Sequence, residues 1–340
     1  HLERSGNALA IPMRFRVFLP APSETEAETG PSTDAAEPTE PKERRGFFEH
    51  LFETKRRPVE VHPQPAALAE PEFSPGGRLL ILAHGLSMND REWTAHQHNH
   101  GQMLADASGY TPVYVLYNSG RNVSTNGREF CTQLAGLLDA WPVPVESITM
   151  IGFSMGGLVT RSALHFAEQQ DQAWLGRVDK VVYIGTPHHG AAMERGGYWL
   201  QKSATYSPYT APLSALGRVR SAGITDLRHG NVLDDDWQHH DEHEDDADHR
   251  RPVPLASGIE HYAIASTLSK QPGARIGRLL GDGLVHPSSA TGRHQNPDFH
   301  LAFPEHHTRI FYCLGHLSLL HEWRVADQLC QWLKRAIPAR

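Results

Sequence analysis

A serine between two glycines joins an apolar, strand-like segment to a helix-like one. Residues 152–156 read GFSMG; the apolar run SITMI comes before them, and after Ser154 the apolar residues recur with helical spacing. A strand that turns sharply into a helix holds such a serine in a strained conformation, and the glycines allow close packing around it. Its hydroxyl then lies at the positive end of the helix dipole. The pattern predicts a nucleophile for acyl transfer at Ser154; the alternative is a glycine-rich turn that contains a serine by chance.

Two backbone N–H groups are the candidate donors for the oxyanion that such a nucleophile creates. Met155 directly follows Ser154 and supplies one of them. The other is expected in a loop after an earlier strand, and Leu86 follows the pair His84-Gly85 at the end of the apolar run LLILA. Gly85 lets the backbone approach the substrate, whereas His84 is interpreted as a loop histidine without a role in proton transfer.

The base and the acid that orients it are expected after the serine in the chain, in the order serine, acid, histidine. Asp282 and His316 each follow a predicted strand, and His316 also directly precedes the last helix-like segment. This position selects His316 from 23 histidines, of which the nearby alternatives are His300, His306, His307 and His321. Asp282 could equally be a plain Asp-Gly turn residue, with Asp226 and Asp298 as rival acids.

Strand-like and helix-like segments alternate from about residue 77 onward, which predicts a mostly parallel central sheet flanked by helices. Several strand candidates are continuous apolar runs, as expected for strands that are covered on both faces. The strand candidates are residues 79–83, 112–117, 147–153, 178–185, 261–266 and 308–314. The helix candidates are residues 90–107, 124–140, 155–169 and 317–335.

The composition excludes several classes of protein. No apolar run approaches the roughly 18 residues that a membrane-spanning helix needs, so a soluble protein is expected. The net charge is −7, but residues 234–248 hold nine acidic residues and no Lys or Arg, so the remainder carries −7 + 9 = +2. Such a nearly neutral body lacks the basic stripe of nucleic-acid binders. The three cysteines, Cys131, Cys313 and Cys330, have no metal or redox spacing and are expected to be buried free thiols.

The first 76 residues are expected to lie outside the folded domain. Residues 1–20 are interpreted as an N-terminal arm, in which the block IPMRFRVFL alternates like a strand, and residues 21–76 as a disordered or extended linker rich in Pro and acids. The folded domain is expected over residues 77–340, so that deletion of everything before about residue 71 should be tolerated. The chain begins at His1 without a basic-then-apolar leader; localisation stays open, with the cytoplasm favoured.

These motifs occur in an order and at a spacing that resemble the α/β-hydrolase superfamily, and within it the bacterial lipase and esterase branch. The matching segments are AHGLSMND at 83–90, IGFSMGGLVTRSA at 151–163, IGTPHHGA at 184–191, GDGLV at 281–285 and GHLSLL at 315–320. Two further segments are similar to bacterial hydrolases related to GPI inositol-deacylases: YNSGRNVSTNGREF at 117–130 and DLRHGNVLDDDW at 226–237. The resemblance covers about residues 77–335.

The resemblance implies an α/β-hydrolase fold and an ester hydrolase whose catalytic residues are Ser154, Asp282 and His316, with oxyanion donors at Leu86 and Met155. Phe153 departs from the family, because related lipases usually have histidine before the serine; this difference concerns packing more than mechanism. Secreted lipases also carry a calcium site near the catalytic histidine. That site is not carried over, since residues 317–319 offer no carboxylate.

The stretch at about 191–258 is expected to be an inserted cap or lid, because about 70 residues far exceed an ordinary connection. The apolar and aromatic residues that could line an acyl pocket there are Tyr198, Trp199, Tyr206, Tyr209, Leu213 and Leu216. The alternative is a helical pair packed on the core. The acidic, histidine-rich run at 234–249 is interpreted as a solvated loop rather than a metal site.

These observations together predict an esterase or lipase that acts on carboxylic esters through an acyl-enzyme, without a cofactor or metal. A lipid or another hydrophobic acyl ester is the expected kind of substrate, and no nucleic-acid partner is expected. One alternative is an acyltransferase on the same scaffold. The other is a binding protein with a hydrolase fold that turns nothing over.

Overall fold

An eight-stranded sheet forms the centre of the protein, in the order β2-β1-β6-β3-β7-β8-β9-β10. The computed structural model describes residues 11–20, 56–64, 73–191, 221–238, 248, 250–271 and 281–334. The sheet strands are β1 (Arg14–Pro20), β2 (Arg56–His62), β3 (Arg78–Ala83), β6 (Thr111–Leu116), β7 (Ser147–Phe153), β8 (Val178–Ile184), β9 (Glu260–Thr267) and β10 (Thr308–Tyr312). A separate two-stranded hairpin consists of β4 (Thr94–Ala95) and β5 (His98–Asn99).

Six neighbouring strands, from β6 to β10 across the sheet, are paired in parallel. Their central members are apolar on both faces and almost wholly buried, as the continuous apolar runs predicted. Helices connect the strands and cover the sheet, and β7 runs into its helix through a single residue. The predicted mostly parallel central sheet flanked by helices is confirmed.

Seven α-helices are found among the described residues: α1 (His100–Ser108), α2 (Val123–Asp139), α3 (Met155–Gln169), α4 (Ala222–His229), α5 (Asp235–Gln238), α6 (Pro287–Ala290) and α7 (Trp323–Leu333). The prediction of one helix over residues 90–107 is wrong. Asn89 caps a 3₁₀ turn at Asp90–Trp93, the hairpin β4–β5 follows, and Asn99 caps α1. Two asparagine caps in one segment therefore begin two helical pieces. The predicted helix over 317–335 is likewise a 3₁₀ turn at Leu317–Leu320 followed by α7.

The N-terminal block belongs to the sheet, so the domain boundary drawn near residue 77 needs correction. β1 pairs antiparallel with β6 on one side and with β2 on the other. The strand turns one face to the core, where its buried side chains are Met13, Phe15, Val17 and Leu19. The physical reason is the alternation of apolar and polar residues over 13–19, which suits a strand covered on one face. Most of the proposed linker, residues 21–55, lies outside the described residues.

We therefore expect substitutions in β1 to destabilise the whole domain. Phe15 is fully buried, and its ring lies 5.8 Å from the ring of Phe130 on α2. Phe15→Ala should lower the free energy of unfolding by about 3–5 kcal/mol, measured by urea denaturation. Arg14→Ala, on the outward face, should cost less than about 1 kcal/mol. A Phe15→Ala variant as stable as the wild type would show that β1 contributes little and that deletion before residue 71 is tolerated after all.

The three cysteines differ in their exposure to solvent. All three cysteines are free, but only Cys131 is buried, whereas Cys313 is exposed and Cys330 is half-buried. The expectation of buried thiols is thus wrong for Cys313, which directly follows β10 at the end of the sheet.

No helix in the described ranges is both long and apolar enough to cross a membrane. The predicted cap aromatics at positions 198–216 lie outside the described residues.

Candidate active site

Ser154 is the single residue between β7 and α3, and its backbone has φ +52° and ψ −120°. A non-glycine residue at this positive φ is strained, which is typical of functional turns. The turn needs glycine nearby: a Cβ on Gly156 would lie 2.2 Å from the carbonyl oxygen of Ala83 in β3. The Ser154 N–H donates to the carbonyl of Ile184 at the end of β8, over 2.8 Å. The serine is thereby held at the carboxyl ends of three parallel strands.

His316 and Asp282 form a buried pair at the same edge of the sheet. Nδ1 of His316 lies 2.8 Å from Oδ2 of Asp282, and the two side chains are 2% and 1% exposed. A carboxylate only accepts hydrogen bonds, so Nδ1 of His316 carries the proton and donates a hydrogen bond to Asp282. In the neutral ring the lone pair is then on Nε2. This nitrogen is buried and has no hydrogen-bond partner among the described residues.

The loop GDGLV fixes the orientation of the Asp282 carboxylate. Oδ1 accepts the N–H groups of Leu284 (3.0 Å) and Val285 (2.7 Å), while Oδ2 also accepts the hydroxyl of Ser266 at 3.3 Å. The reading of Asp282 as an Asp-Gly turn residue and its reading as the partner of His316 are therefore compatible, because the two carboxylate oxygens serve different contacts. Sequence reasoning missed Ser266, a residue of β9 with no motif around it.

The ring of His316 packs against the strand ends that bracket Ser154. Its centroid lies 5.0 Å from the ring of Phe153, the residue before the serine. The ring is also close to Gly185: a Cβ on this glycine, which has φ +60°, would lie 2.9 Å from Cε1 of His316. Gly185 in turn follows Ile184, whose carbonyl binds the Ser154 N–H. The histidine found by its position after the last strand is thus next to the serine turn.

The two candidate oxyanion donors flank this turn. Met155 is the first residue of α3, so its N–H has no acceptor within the helix. Leu86 lies in the loop after β3, where a Cβ on the preceding Gly85 would lie 3.1 Å from the ring of Phe153. The next N–H in this loop, that of Ser87, donates to the hydroxyl of Ser119 at 2.9 Å. The loop that carries Leu86 is therefore packed against the serine turn and tied to the β6–α2 loop.

His84 makes buried structural contacts at the end of β3. Its ring is buried and stacks on Tyr117, with ring centroids 4.2 Å apart. Nδ1 donates to the Gly85 carbonyl at 2.9 Å, and the Tyr117 hydroxyl donates to the His84 carbonyl at 2.6 Å. Burial lowers the pKa of His84 to about 4, so the ring is neutral at ordinary pH.

The rival acids have other environments. Asp226 on α4 is buried and accepts the N–H of Val123 at 2.7 Å and the amide of Asn231 at 2.9 Å, so it ties α4 to the start of α2. Burial raises the pKa of Asp226 to about 6. Asp298 is exposed in a 3₁₀ turn, Pro297–Phe299. Neither is ion-paired, in the part of the chain that is described, with one of the alternative histidines His300, His306, His307 and His321.

The described part of the acidic run is not a solvated loop, which corrects the interpretation from sequence. Asp234 pairs with Arg128 of α2 and Asp235 with Arg251. Asp236 is buried and accepts the N–H groups of its neighbours Val232, Leu233 and Arg251 at 2.8–2.9 Å. The histidines of the run, His239, His240, His243 and His249, lie outside the described residues. Within the described ranges, no group of three or more His, Cys, Asp or Glu side chains is arranged to hold a metal ion.

Because these three carboxylates already have partners, we expect metal removal to have no effect. Dialysis against EDTA should change neither the melting temperature nor the rate of ester hydrolysis. The measurement is a thermal melt and an ester assay before and after dialysis. A clear loss of either that zinc or calcium restores would assign a metal to the run at 234–249.

Part of this chain is similar to a known protein family. Residues 120–263 match the family model described as "PGAP1-like alpha/beta domain". This stretch is less than half of the chain; it contains Ser154 but neither Asp282 nor His316. The "Putative esterase/lipase 3" of Mycoplasma pneumoniae is 29% identical over 117 residues, which are 34% of this chain. The match spans only 39% of the length of that relative.

Among solved structures, the similar ones include two bacterial lipases. The mature form of Bacillus licheniformis lipase BlEst2 aligns with a TM-score of 0.48 and 18% identity, covering 78% of this chain and 94% of that chain. Staphylococcus hyicus lipase aligns with a TM-score of 0.43 and 14% identity, covering 77% and 95%.

Proposed function

We propose that this protein is a serine ester hydrolase in which Ser154 is the nucleophile, His316 the general base and Asp282 the acid that orients it. The observation that carries the proposal is the buried His316–Asp282 pair, which packs against the Ser154 turn; Nε2 of its histidine has no hydrogen-bond partner in the described part of the chain. The strained φ of Ser154 and its position at the start of α3 add independent support. The names of the relatives, lipase and esterase, agree with this chemistry.

In the proposed reaction, Nε2 of His316 takes the proton of the Ser154 hydroxyl while the serine oxygen attacks the ester carbonyl. The imidazolium that forms is stabilised by the negative charge of Asp282, whose buried carboxylate already accepts the hydrogen bond from Nδ1 of His316. His316 then returns the proton to the leaving alcohol. A water molecule, activated by the same nitrogen, releases the acid from Ser154 and completes the cycle.

The N–H groups of Leu86 and Met155 are proposed to stabilise the tetrahedral oxyanion. Both belong to the backbone, so they need no reorganisation as the negative charge develops. The first turn of α3 adds the positive end of its dipole at the same place. Phe153 and the neutral, stacked His84 keep the surroundings apolar, which strengthens these interactions.

The acyl group is proposed to lie against α4, one of the described helices of the predicted cap. Helix α4 packs on the site directly, since a Cβ on Gly223 would lie 2.9 Å from Cε of Met155 and 2.1 Å from the carbonyl oxygen of Ser119. This contact covers the fully buried side chain of Met155 and places α4 next to the serine turn. A carboxylic ester with a hydrophobic acyl chain is the substrate class that fits.

Two measurements test the proposal. A fluorophosphonate probe should label the wild-type protein at Ser154, as shown by mass spectrometry of the labelled peptide, and p-nitrophenyl esters of graded chain length should be hydrolysed. An added alcohol that outcompetes water for the acyl-enzyme would instead identify an acyltransferase. Absence of both labelling and turnover would favour a binding protein with a hydrolase fold.

A further inference from the structure

Two histidines at the junction of β5 and α1, His98 and His100, form a series of hydrogen bonds that the proposed reaction does not use. Nε2 of His98 lies 2.7 Å from Nδ1 of His100, and Nε2 of His100 lies 2.9 Å from the carbonyl oxygen of Leu319. A carbonyl only accepts, so Nε2 of His100 must donate. Nδ1 of His100 must then accept, and His98 must donate from Nε2. The geometry therefore determines the direction of both hydrogen bonds.

The carbonyl of Leu319, which accepts the hydrogen bond from His100, belongs to the turn that follows His316. The 3₁₀ turn Leu317–Leu320 begins directly after His316, and the N–H of Leu319 donates to the His316 carbonyl at 3.2 Å. The N–H of His316 donates in turn to the carbonyl of Asp282 at 3.1 Å. Carbonyls in the last turn of a short helix lack partners within it. His100 supplies the partner for Leu319 from an element 219 residues away in sequence.

Leu319 and His316 also share one packing surface. A Cβ on Gly185 would lie 3.0 Å from Cδ1 of Leu319 and 2.9 Å from Cε1 of His316. Leu319 is fully buried, so displacement of its backbone cannot be absorbed by movement into solvent. A shift of this residue would therefore be transmitted to the ring of His316.

The two hydrogen bonds of His100 require both histidine rings to be neutral, and the buried environment of the rings keeps them so. His100 is fully buried, which together with the neighbouring His98 lowers its pKa to about 3. Burial and the neighbouring His321 lower the pKa of His98 to about 4. Above about pH 5, Nδ1 of His100 is therefore available to accept.

We infer that His100 is a positioning residue for His316: it holds the Leu319 carbonyl and with it the turn that aims Nε2 of His316 at Ser154, while His98 supports the tautomer of His100. This inference rests on the proposed function for its effect on rate. The hydrogen bonds themselves are independent of that function. His100 does not contact the reacting atoms, so its contribution is geometric.

The kinetic test compares two substitutions at position 100. His100→Leu should lower kcat by about 10- to 100-fold with little change in KM, because a small misplacement of a catalytic group costs rate rather than binding. His100→Gln should restore kcat to within about threefold of the wild type, since its amide N–H can reach the position of Nε2. Assays are run well below the melting temperature of each variant.

A matched control separates positioning from stability. The hydroxyl of Tyr110 donates to the carbonyl of Leu333 at the end of α7, a comparable buried contact that does not involve the His316 turn. Tyr110→Phe should lower the melting temperature while leaving kcat within about twofold. If Tyr110→Phe and His100→Leu lower kcat equally, loss of stability explains the effect and the inference is wrong.

A readout that needs no turnover keeps this inference separate from the proposed function. In ¹H NMR, the proton between His316 and Asp282 should give a downfield signal in the wild type and His100→Gln, and a shifted or broadened one in His100→Leu. If the wild type is not labelled by fluorophosphonate but the signal behaves in this way, the proposed function fails and the positioning role stands. An unchanged signal and unchanged kcat in His100→Leu would overturn the positioning role, whatever the wild type hydrolyses.

Discussion

Ser154→Ala is expected to abolish ester hydrolysis while leaving the protein folded. The loss in kcat should be on the order of 10⁴-fold or more, because the nucleophile and its base act as one unit. The melting temperature should stay close to that of the wild type, since alanine tolerates φ +52° no better and no worse than serine does. Initial rates with a p-nitrophenyl ester and a thermal melt measure both effects.

Two related substitutions sharpen this result. Ser154→Gly should be equally inactive but more stable by about 1 kcal/mol, because glycine removes the backbone strain of the turn. Ser162→Ala, on the same helix, should show the inverse pattern: it loses the buried hydrogen bond to the Val232 carbonyl and some stability, but keeps its activity. Retention of a tenth of the activity in Ser154→Ala would refute the assignment of the nucleophile.

Asp282→Asn should lower kcat by up to about 10⁴-fold with little change in KM. The asparagine can keep its oxygen on the N–H groups of Leu284 and Val285, which turns its NH₂ group toward Nδ1 of His316. Two donors then face each other, so the ring is driven to the tautomer that carries its proton on Nε2. That tautomer cannot accept the serine proton. Steady-state kinetics at pH 7–8 measure the loss.

The rival acids serve as controls for Asp282. Asp298→Asn, in an exposed turn, should stay within a few-fold of the wild type in kcat. Asp226→Asn should lower stability, because Asp226 accepts N–H groups that tie α4 to α2, yet its kcat should also stay within a few-fold. His316→Ala combined with Asp282→Asn should cost much less than the product of the single losses. Full activity in Asp282→Asn with an inactive Asp298→Asn would require a different acid.

The part of the site that could be predicted from sequence is the part encoded locally. Ser154 was recognisable because a strand, a glycine-flanked serine and a helix follow one another within a few residues, and the structure has this order. Asp282 and His316 were selected by their position after strands, and they lie 2.8 Å apart. In a parallel sheet the carboxyl ends of all strands lie at one edge, so residues that directly follow different strands are predicted to lie close together.

Features that depend on distant partners were missed. β1 was recognisable as strand-like, but nothing in its sequence reveals that it pairs with β6, and the long polar segment after it suggested a free arm. Residues 90–107 carry enough helix-forming residues to suggest one helix, and only the asparagine caps divide it. The contact from His100 to Leu319 has no periodicity or motif, since it joins side chain to backbone across most of the chain.

The position of β1 in the sheet also has a consequence for how the chain folds. Its partner β6 lies far along the chain, with Arg14 opposite Leu116, so this contact closes a large loop. Such non-local contacts form late, because the entropy of loop closure must be lost before they gain energy. Until β1 pairs with β6, its backbone edge is unpaired and its apolar face is not packed on the core, so both are open to association with other chains. Substitutions such as Phe15→Ala should therefore accelerate unfolding more than they slow folding, so β1 governs the kinetic lifetime of the native state.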